Sequence, residues 1–523
     1  MSATPELSAS TSLDPSHPKG FKSTYGQILK SSVLMGGSSA MNVACGIVRA
    51  KAMAVLLGPA GVGMLGLYGS ILDLAQSMSC AGLTSAGVRQ IAEASGSGDL
   101  VRAARIAKIL QRMSFALGVA SALCLLILAT PISHWTFNSA DFALPVSLLS
   151  LAVLFRSIAA GQEALIQGLR RITDLARCGV LTALFGTTAS LILIFILREK
   201  GVVPALISVS VATLGATWWY RRKIQLPDAP ITMSQIRTES LALAKLASAF
   251  LISSFLTIGA IYAIRVIVTQ KVGLDAAGMY FSAWALGGQY VGFILQAMGS
   301  DFYPRLTAVA MNHPEANRLV NEQAEVGMLL AGPGVLATLT FSPFVIALFY
   351  THQFAAAVDP LRWICLGMML RVVAWPLGFI VLAKGAQKLF ICLEVVIAVI
   401  HVGFAFLAVA YFGMKGAGIA FFGLYFIYTF IIRGVVHTLT GFTWSRANIR
   451  IGALTFPLIG AVFYCVTYLP FWPAIALGTT AVAFSSFYSM RTLLTLIPLD
   501  RLPRTIRRVA TYFYRASTRT PIR

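Results

Sequence analysis

Charge is scarce in this chain: only 11% of its 523 residues are charged, and just 19 are acidic. A soluble protein carries roughly a quarter charged residues, so this one cannot cover a water-facing surface of its own. Catalytic spellings are missing too. There is no H-E-x-x-H, nucleophile elbow, Walker loop or metal-ligand cluster, which argues against an enzyme, an ATP-driven pump, a metal site or a bound cofactor. The seven cysteines lie in apolar segments, are odd in number and form no C-x-x-C, so they read as packed thiols. The histidines show no ligand-spaced pair; His401, inside an apolar run, reads as a packed and hydrogen-bonded side chain.

Apolar length is what the chain has. Hydrophobic residues make up 57% and mean hydropathy is +0.78. About fourteen segments of roughly 20 apolar residues recur between residue 28 and about residue 494, each long enough to span a hydrocarbon core. The expected fold is an all-α, multi-pass membrane protein. The net charge of +22 would suggest nucleic acid in a soluble chain, but its placement excludes that partner. With a cytoplasmic N-terminus and alternating sides, 30 of the 41 basic residues fall inside and about six outside. Both termini are therefore expected in the cytoplasm. The polar first residues, with Pro5, Pro15 and Pro18, lack an apolar core and cleavage site and read as a disordered tail over 1–25, not a signal peptide.

The stretch 51–70, KAMAVLLGPAGVGMLGLYGS, spells G-x-G-x-x-G at Gly61, Gly63 and Gly66. No strand pattern precedes it, so the dinucleotide reading fails. It is expected instead as a tight helix-to-helix turn on the outer face, with Pro59 ending the first helix. The same stretch reveals a duplication. At an offset of 215 residues, LGPAGVGM (57–64) falls on VGLDAAGM (272–279), and EKGVVPA (199–205) on MKGAGIA (414–420). LAVLFRSIA (151–159) falls on LGMMLRVVA (366–374), so that Arg156 meets Arg371. Two six-helix lobes in parallel orientation follow, over 26–222 and 238–438, an architecture typical of transporters with a central site. A cytoplasmic linker (223–237) joins them, an extra helix pair (439–495) has no counterpart, and a basic tail (496–523) suits anionic headgroups.

These residues resemble a family. RAKAMAVLLGPAGVGMLGLY with AGLTSAGVRQIAE, and GLDAAGMYFSAW, DFYPRL and LRVVAWPLGFIVLAKG, are similar to segments of the O-antigen and enterobacterial-common-antigen translocases. These belong to the multidrug/oligosaccharidyl-lipid/polysaccharide exporter superfamily. The resemblance implies two six-helix bundles in an outward-closing V in the bacterial inner membrane. It implies flipping, by alternating access, of an undecaprenyl-pyrophosphate-linked oligosaccharide, an O-antigen or exopolysaccharide repeat unit. Membrane lipids and a polysaccharide polymerase or co-polymerase are the implied partners. A drug/cation antiporter of the same superfamily is the alternative, then a membrane polymerase or ligase. The extra helix pair departs from the family's twelve.

A pyrophosphate-linked glycan calls for a hydrated, cationic cavity. An Arg at mid-bilayer costs about 2.5–3.5 kcal/mol or more, which marks such residues as functional candidates. Arg156 and Arg371 are repeat mates near mid-membrane and are expected to clasp the pyrophosphate from opposite sides. Arg49 and Arg265 are near-mates in the outer half, and Asn42, seven residues before Arg49, shares its helix face. Arg362 is out of phase and reads as snorkelling or paired; Lys245 lies near the inner interface. The alternative for each Arg is an internal ion pair, with Asp73, Glu163 and Glu394 as partners. Those carboxylates are also the candidates for ion coupling.

Overall fold

The computed structural model describes residues 19–80, 82–227 and 233–496. Most of the expected N-terminal tail, the middle of the linker and the basic C-terminal tail lie outside the described residues. Every described element is helical. The first lobe runs α1 (Lys19–Cys80), α2 (Leu83–Gly96), α3 (Leu100–Ile127), α4 (Ala129–Phe137), α5 (Ala143–Gly168), α6 (Ile172–Leu197) and α7 (Val202–Arg221). The second runs α8 (Met233–Val272), α9 (Leu274–Ala308), α10 (His313–Thr340), α11 (Ser342–Phe349), α12 (Val358–Ala383), α13 (Gln387–Phe412) and α14 (Met414–Thr440). The unduplicated pair is α15 (Arg446–Tyr468) and α16 (Phe471–Leu496).

The 215-residue offset survives into three dimensions. Shifted by 215, α5 falls on α12 and α6 on α13, residue for residue at both ends. Left-handed backbone recurs at the same interval: Gly58 and Gly273 (φ 65° and 113°), Arg170 and Gly385 (55° and 69°), Arg198 and Gly413 (54° and 59°). Chain reversals and breaks thus sit at equivalent places in both lobes.

The glycine-rich stretch does two jobs, of which the turn is only the first. Gly58 takes φ 65°, ψ −169° and breaks α1; no side chain with a Cβ adopts that conformation cheaply. Pro59 then opens the next helical segment, where its missing N–H goes unneeded, so it starts a helix instead of ending one. The remaining glycines are already helical and serve close packing. A Cβ at Gly278 would overlap the carbonyl oxygen of Pro59, and one at Gly63 would overlap that of Leu274. A Cβ at Gly66 would sit 2.8 Å from the Phe281 ring. Gly63 and Gly278 are repeat mates, so the lobes' pseudo-two-fold axis passes between them.

Around this crossing the lobes share a core. Met53, Ala54 and Val62 of α1 pack with Ala277, Tyr280 and Ala283 of α9, and Tyr262 and Val266 of α8 pack against Leu67 and Ile71. At the Gly58 end each lobe's first helix donates to the other lobe's short helix. Lys51 Nζ bonds the carbonyl oxygens of Ala347 (2.7 Å) and Tyr350 at the C-terminus of α11. Gln270 Nε2 bonds the oxygen of Trp135 in α4 at 2.5 Å, and the Thr136 and Tyr262 hydroxyls meet at 2.6 Å. A cation on the free carbonyls of a helix C-terminus is the favoured polarity.

Among the described residues nine helices are long and apolar enough to cross a membrane, or ten with α10 and α11, bent by 78°, taken as one span. Two stretches exceed a single crossing: 41–80 has 40 residues and 172–221 has 50, each containing one of the breaks above. The perimeter exposes Ile127, Phe195, Ile196, Leu407 and Phe412, as a lipid-facing surface requires. Helices α15 and α16 pack on α10. Asn448 Nδ2 is bonded to Asn321 O (2.9 Å) and Oδ1 (2.8 Å), and Ser445 N to the same Oδ1 at 2.8 Å. Tyr464, Tyr468 and Trp472 stand exposed where the two helices meet, the amphipathic composition of a membrane interface.

Candidate functional site

Three cavities lie in a row across the bundle and share walls. The central one, about 600 Å³, lies between the lobes and is lined by Arg49, Phe281, Trp284, Gln289 and Arg371. Arg49 also lines the first-lobe cavity, about 460 Å³, with Asp73, Gln76, Arg156, Glu163 and Arg265. Arg371 also lines the second-lobe cavity, about 360 Å³, with Glu394, His401 and several aromatic rings. The two guanidinium groups therefore stand at the two doorways of the central chamber. Among the described residues that chamber carries two cations and no carboxylate.

The expected symmetric clasp is not what the structure builds. Arg156, on α5, points into the first-lobe cavity and pairs with Asp73, Nη1 to Oδ1 at 2.9 Å. It does not line the central chamber, so it and Arg371 do not face one space. The ion-pair alternative applies to Arg156. The duplication explains why it does not apply to Arg371. Shifting Asp73 by 215 residues gives Gly288, which lines the central chamber, so the second lobe has a glycine where the first has the counter-charge. Among the described residues Arg371 makes no hydrogen bond or ion pair, and its guanidinium carbon lies 5.9 Å from the Tyr425 ring centre. Arg49 likewise has no hydrogen-bond or ion-pair partner among the described residues. A guanidinium in that condition has all five donors available for an anion.

Arg265 behaves differently from its near-mate Arg49. It is buried, donates to Gly66 O (3.1 Å) and to Ser70 Oγ, and stacks 4.8 Å from the Phe281 ring centre. Gly66 and Ser70 belong to the first lobe, so Arg265 staples the lobes together. Asn42 is exposed and lines none of these cavities. Two helical turns keep it on Arg49's face but displace it by about 10 Å along α1. Arg362 donates to Ser342 Oγ at 3.1 Å and lies 3.9 Å from Asp359, paired as expected. Lys245 is on α8, with its side chain outside the described residues.

The carboxylates divide by surroundings. Asp73 is neutralised by Arg156, and Glu163 lines the same cavity. Glu394 has no ion pair among the described residues; its Oε2 accepts from Ser253 (3.1 Å) and Thr257 (3.4 Å) of α8. His401 is buried as expected, yet its Nε2 has no hydrogen-bond partner among the described residues. Among the described residues no cluster of three metal-ligating side chains occurs. Sequence reasoning missed the aromatic and amide lining, Phe281, Trp284 and Gln289 on α9 and Tyr425 and Tyr428 on α14. The usable signal was the one-residue-per-turn recurrence of 281, 284 and 288 on α9, which gives Phe281, Trp284 and Gly288 a common face.

A family model described as a polysaccharide biosynthesis protein matches residues 52–359. The Lipid III flippase of Escherichia coli (strain K12) is 23% identical over 412 residues, covering 78% of this chain and 98% of that one. Among solved structures, the Lipid II flippase MurJ in an inward closed conformation aligns with a TM-score of 0.64 and 12% identity. The alignment covers 88% of this chain and 100% of that one. An inward-facing multidrug resistance MATE family transporter of the MOP superfamily gives 0.60 and 16%, covering 76% and 96%. These two likenesses are likenesses of fold.

Proposed function

Because the chain belongs to the polysaccharide biosynthesis protein family whose model spans residues 52–359, we propose that it flips a lipid-linked glycan across the membrane. The substrate class is an undecaprenyl-pyrophosphate-linked oligosaccharide, moved from the cytoplasmic to the periplasmic leaflet of the bacterial inner membrane. The observation that carries this reading is the pair Arg49 and Arg371, without hydrogen-bond or ion-pair partners among the described residues, at opposite doorways of an inter-lobe chamber to which no described carboxylate contributes. Two guanidinium forks match the oxygens of a pyrophosphate. The polyprenyl tail stays in lipid outside the lobes.

Alternating access follows from the two-lobe plan. The Gly58 end is the periplasmic end, and the Lys51 and Gln270 bonds close it. Both termini and the 223–237 linker are cytoplasmic, since 30 basic residues fall on that side against about six. A polysaccharide polymerase or co-polymerase takes the product on the far side. A drug/cation antiporter would want its carboxylates in the central chamber, where this protein has guanidinium groups. The deciding experiment is a clean deletion: glycan lipid should accumulate on the cytoplasmic leaflet and a surface polysaccharide should vanish. Normal polysaccharide in that strain, with no second flippase encoded, would refute the proposal.

A further inference from the structure

The two lobes' side cavities occupy equivalent places in the duplication, yet they are lined by different chemistry. Ala160, Ser210 and Thr213 line the first-lobe cavity. Their mates 215 residues on are Trp375, Tyr425 and Tyr428, and all three line the second-lobe cavity. Small side chains in one lobe are thus large aromatic ones in the other at the same three positions. Among the described residues Phe281 is the only aromatic side chain lining the first cavity, which holds five charged groups, Arg49, Asp73, Arg156, Glu163 and Arg265, beside small or uncharged polar ones. The second adds Trp284 and Phe379 to its aromatic wall and holds one carboxylate.

The polar groups set into that aromatic wall are under-used. Glu394 accepts both its hydroxyl bonds on Oε2, which leaves Oε1 without a partner among the described residues. His401, 6% exposed, has an unbonded Nε2. The hydroxyls of Tyr425 and Tyr428 make no hydrogen bond among the described residues. Buried polar groups ordinarily find partners. A cavity that combines aromatic faces with unmet donors and acceptors at their edges matches one ligand shape, a ring with C–H faces and hydroxyls around its rim.

We propose that the second-lobe cavity is a sugar subsite, which receives the pyranose ring or rings next to the pyrophosphate. This rests on the flippase reading and extends it. Arg371 stands in the doorway shared with the central chamber, so a pyrophosphate held there delivers its first sugar directly into the aromatic cavity. Trp284, on the same shared wall, and Trp375 present rings to the sugar faces. Glu394, His401, Tyr425 and Tyr428 bond the rim hydroxyls. The first-lobe cavity, without the aromatic wall, takes no sugar.

The test uses the purified full chain in lipid nanodiscs and two probes. One is undecaprenyl pyrophosphate; the other is the undecaprenyl-pyrophosphate-linked oligosaccharide recovered from cells lacking this protein, where it accumulates. The wild type should bind the glycan-bearing lipid at least tenfold tighter than the bare one. Tyr428→Phe and Glu394→Gln, both close to isosteric, should each cut that preference severalfold, and together bring it within twofold of parity. Affinity for the bare lipid should stay within twofold of wild type, which also reports that the variants are folded. Equal affinity of the wild type for both probes would overturn the sugar subsite and leave the flippase reading standing. So would variants that weaken both probes alike. So would variants that bind normally but transport without the wild type's dependence on an ion gradient, since the cavity would then be a coupling site. Failure of the wild type to bind either probe would strike the flippase reading itself.

Discussion

Arg371→Ala removes a guanidinium with no hydrogen-bond or ion-pair partner among the described residues, and Arg156→Ala removes one that has such a partner. The two should fail differently. Charge-assisted hydrogen bonds to a ligand contribute about 1.5–3 kcal/mol, and each 1.4 kcal/mol is a factor of ten. Loss of Arg371 should therefore cut flipping roughly ten- to hundredfold, with membrane abundance within twofold of wild type, because only the 5.9 Å approach to the Tyr425 ring is lost. Arg371→Lys keeps the charge without the fork and should fall between. The Arg156–Asp73 pair is 34% and 51% exposed on its two sides, so solvent in the cavity screens it and its contribution is under about 1 kcal/mol. Arg156→Ala should lower output less than about fivefold, and Arg156→Ala with Asp73→Asn should recover most of that loss. Surface-glycan output measured against membrane abundance for all four variants decides the matter. Full activity of Arg371→Ala, or an Arg156→Ala defect as deep as that of Arg371→Ala and not recovered by the Asp73 change, would refute the reasoning.

Lys51→Met should weaken closure at the Gly58 end by about 0.3–1 kcal/mol, the usual worth of a cation at a helix C-terminus. Cysteine pairs spanning 51 and 347 should then crosslink less readily in the Gln270→Ala variant than in its parent, and unchanged crosslinking would count against the reciprocal closure. Arg198→Gly should raise the unfolding midpoint by roughly 1–3 °C, since a non-glycine residue at φ 54° carries about 1 kcal/mol or more of strain; a lower midpoint would contradict it. A cysteine placed at Gln225, in a background with unreactive native cysteines, should resist a membrane-impermeant thiol reagent applied to intact cells. Labelling from outside would overturn the topology.

The duplication was legible because its marks are local: a glycine before a break, an Arg in an apolar run, a basic loop. The offset of 215 drawn from three short matches reappears in the ends of α5, α6, α12 and α13. Arg49 and Arg371 stood out in the sequence as candidates, because an unshielded guanidinium in lipid is costly, and both line the inter-lobe chamber. Arg156 was legible as a candidate, with Asp73 among its possible partners, but the choice between that pair and the clasp was not. Whether a helix turns Arg156 toward Asp73 or toward the axis depends on the rotation of α5 against α1, which no linear spacing specifies. The same gap hid the central lining: Trp284 and Gln289 are unremarkable in an aromatic-rich helix until α9 is set against α1 and α12. The later glycines of the 51–70 stretch were misassigned to a turn because a helix-packing glycine and a turn glycine are spelled alike.

The contact of Gly63 with Gly278 has a consequence for the closure of the two lobes on each other. A seal made of side chains leaks whenever a rotamer swings aside, on a scale of nanoseconds. Here main chain lies on main chain with the Leu274 side chain alongside, and neither glycine has a side chain to swing. A rotamer change opens no gap at that point; the two helices part there only when whole helices separate, a motion of microseconds or longer. A chain with three adjoining cavities in its interior can in this way keep its two lobes closed on each other at this point for long intervals.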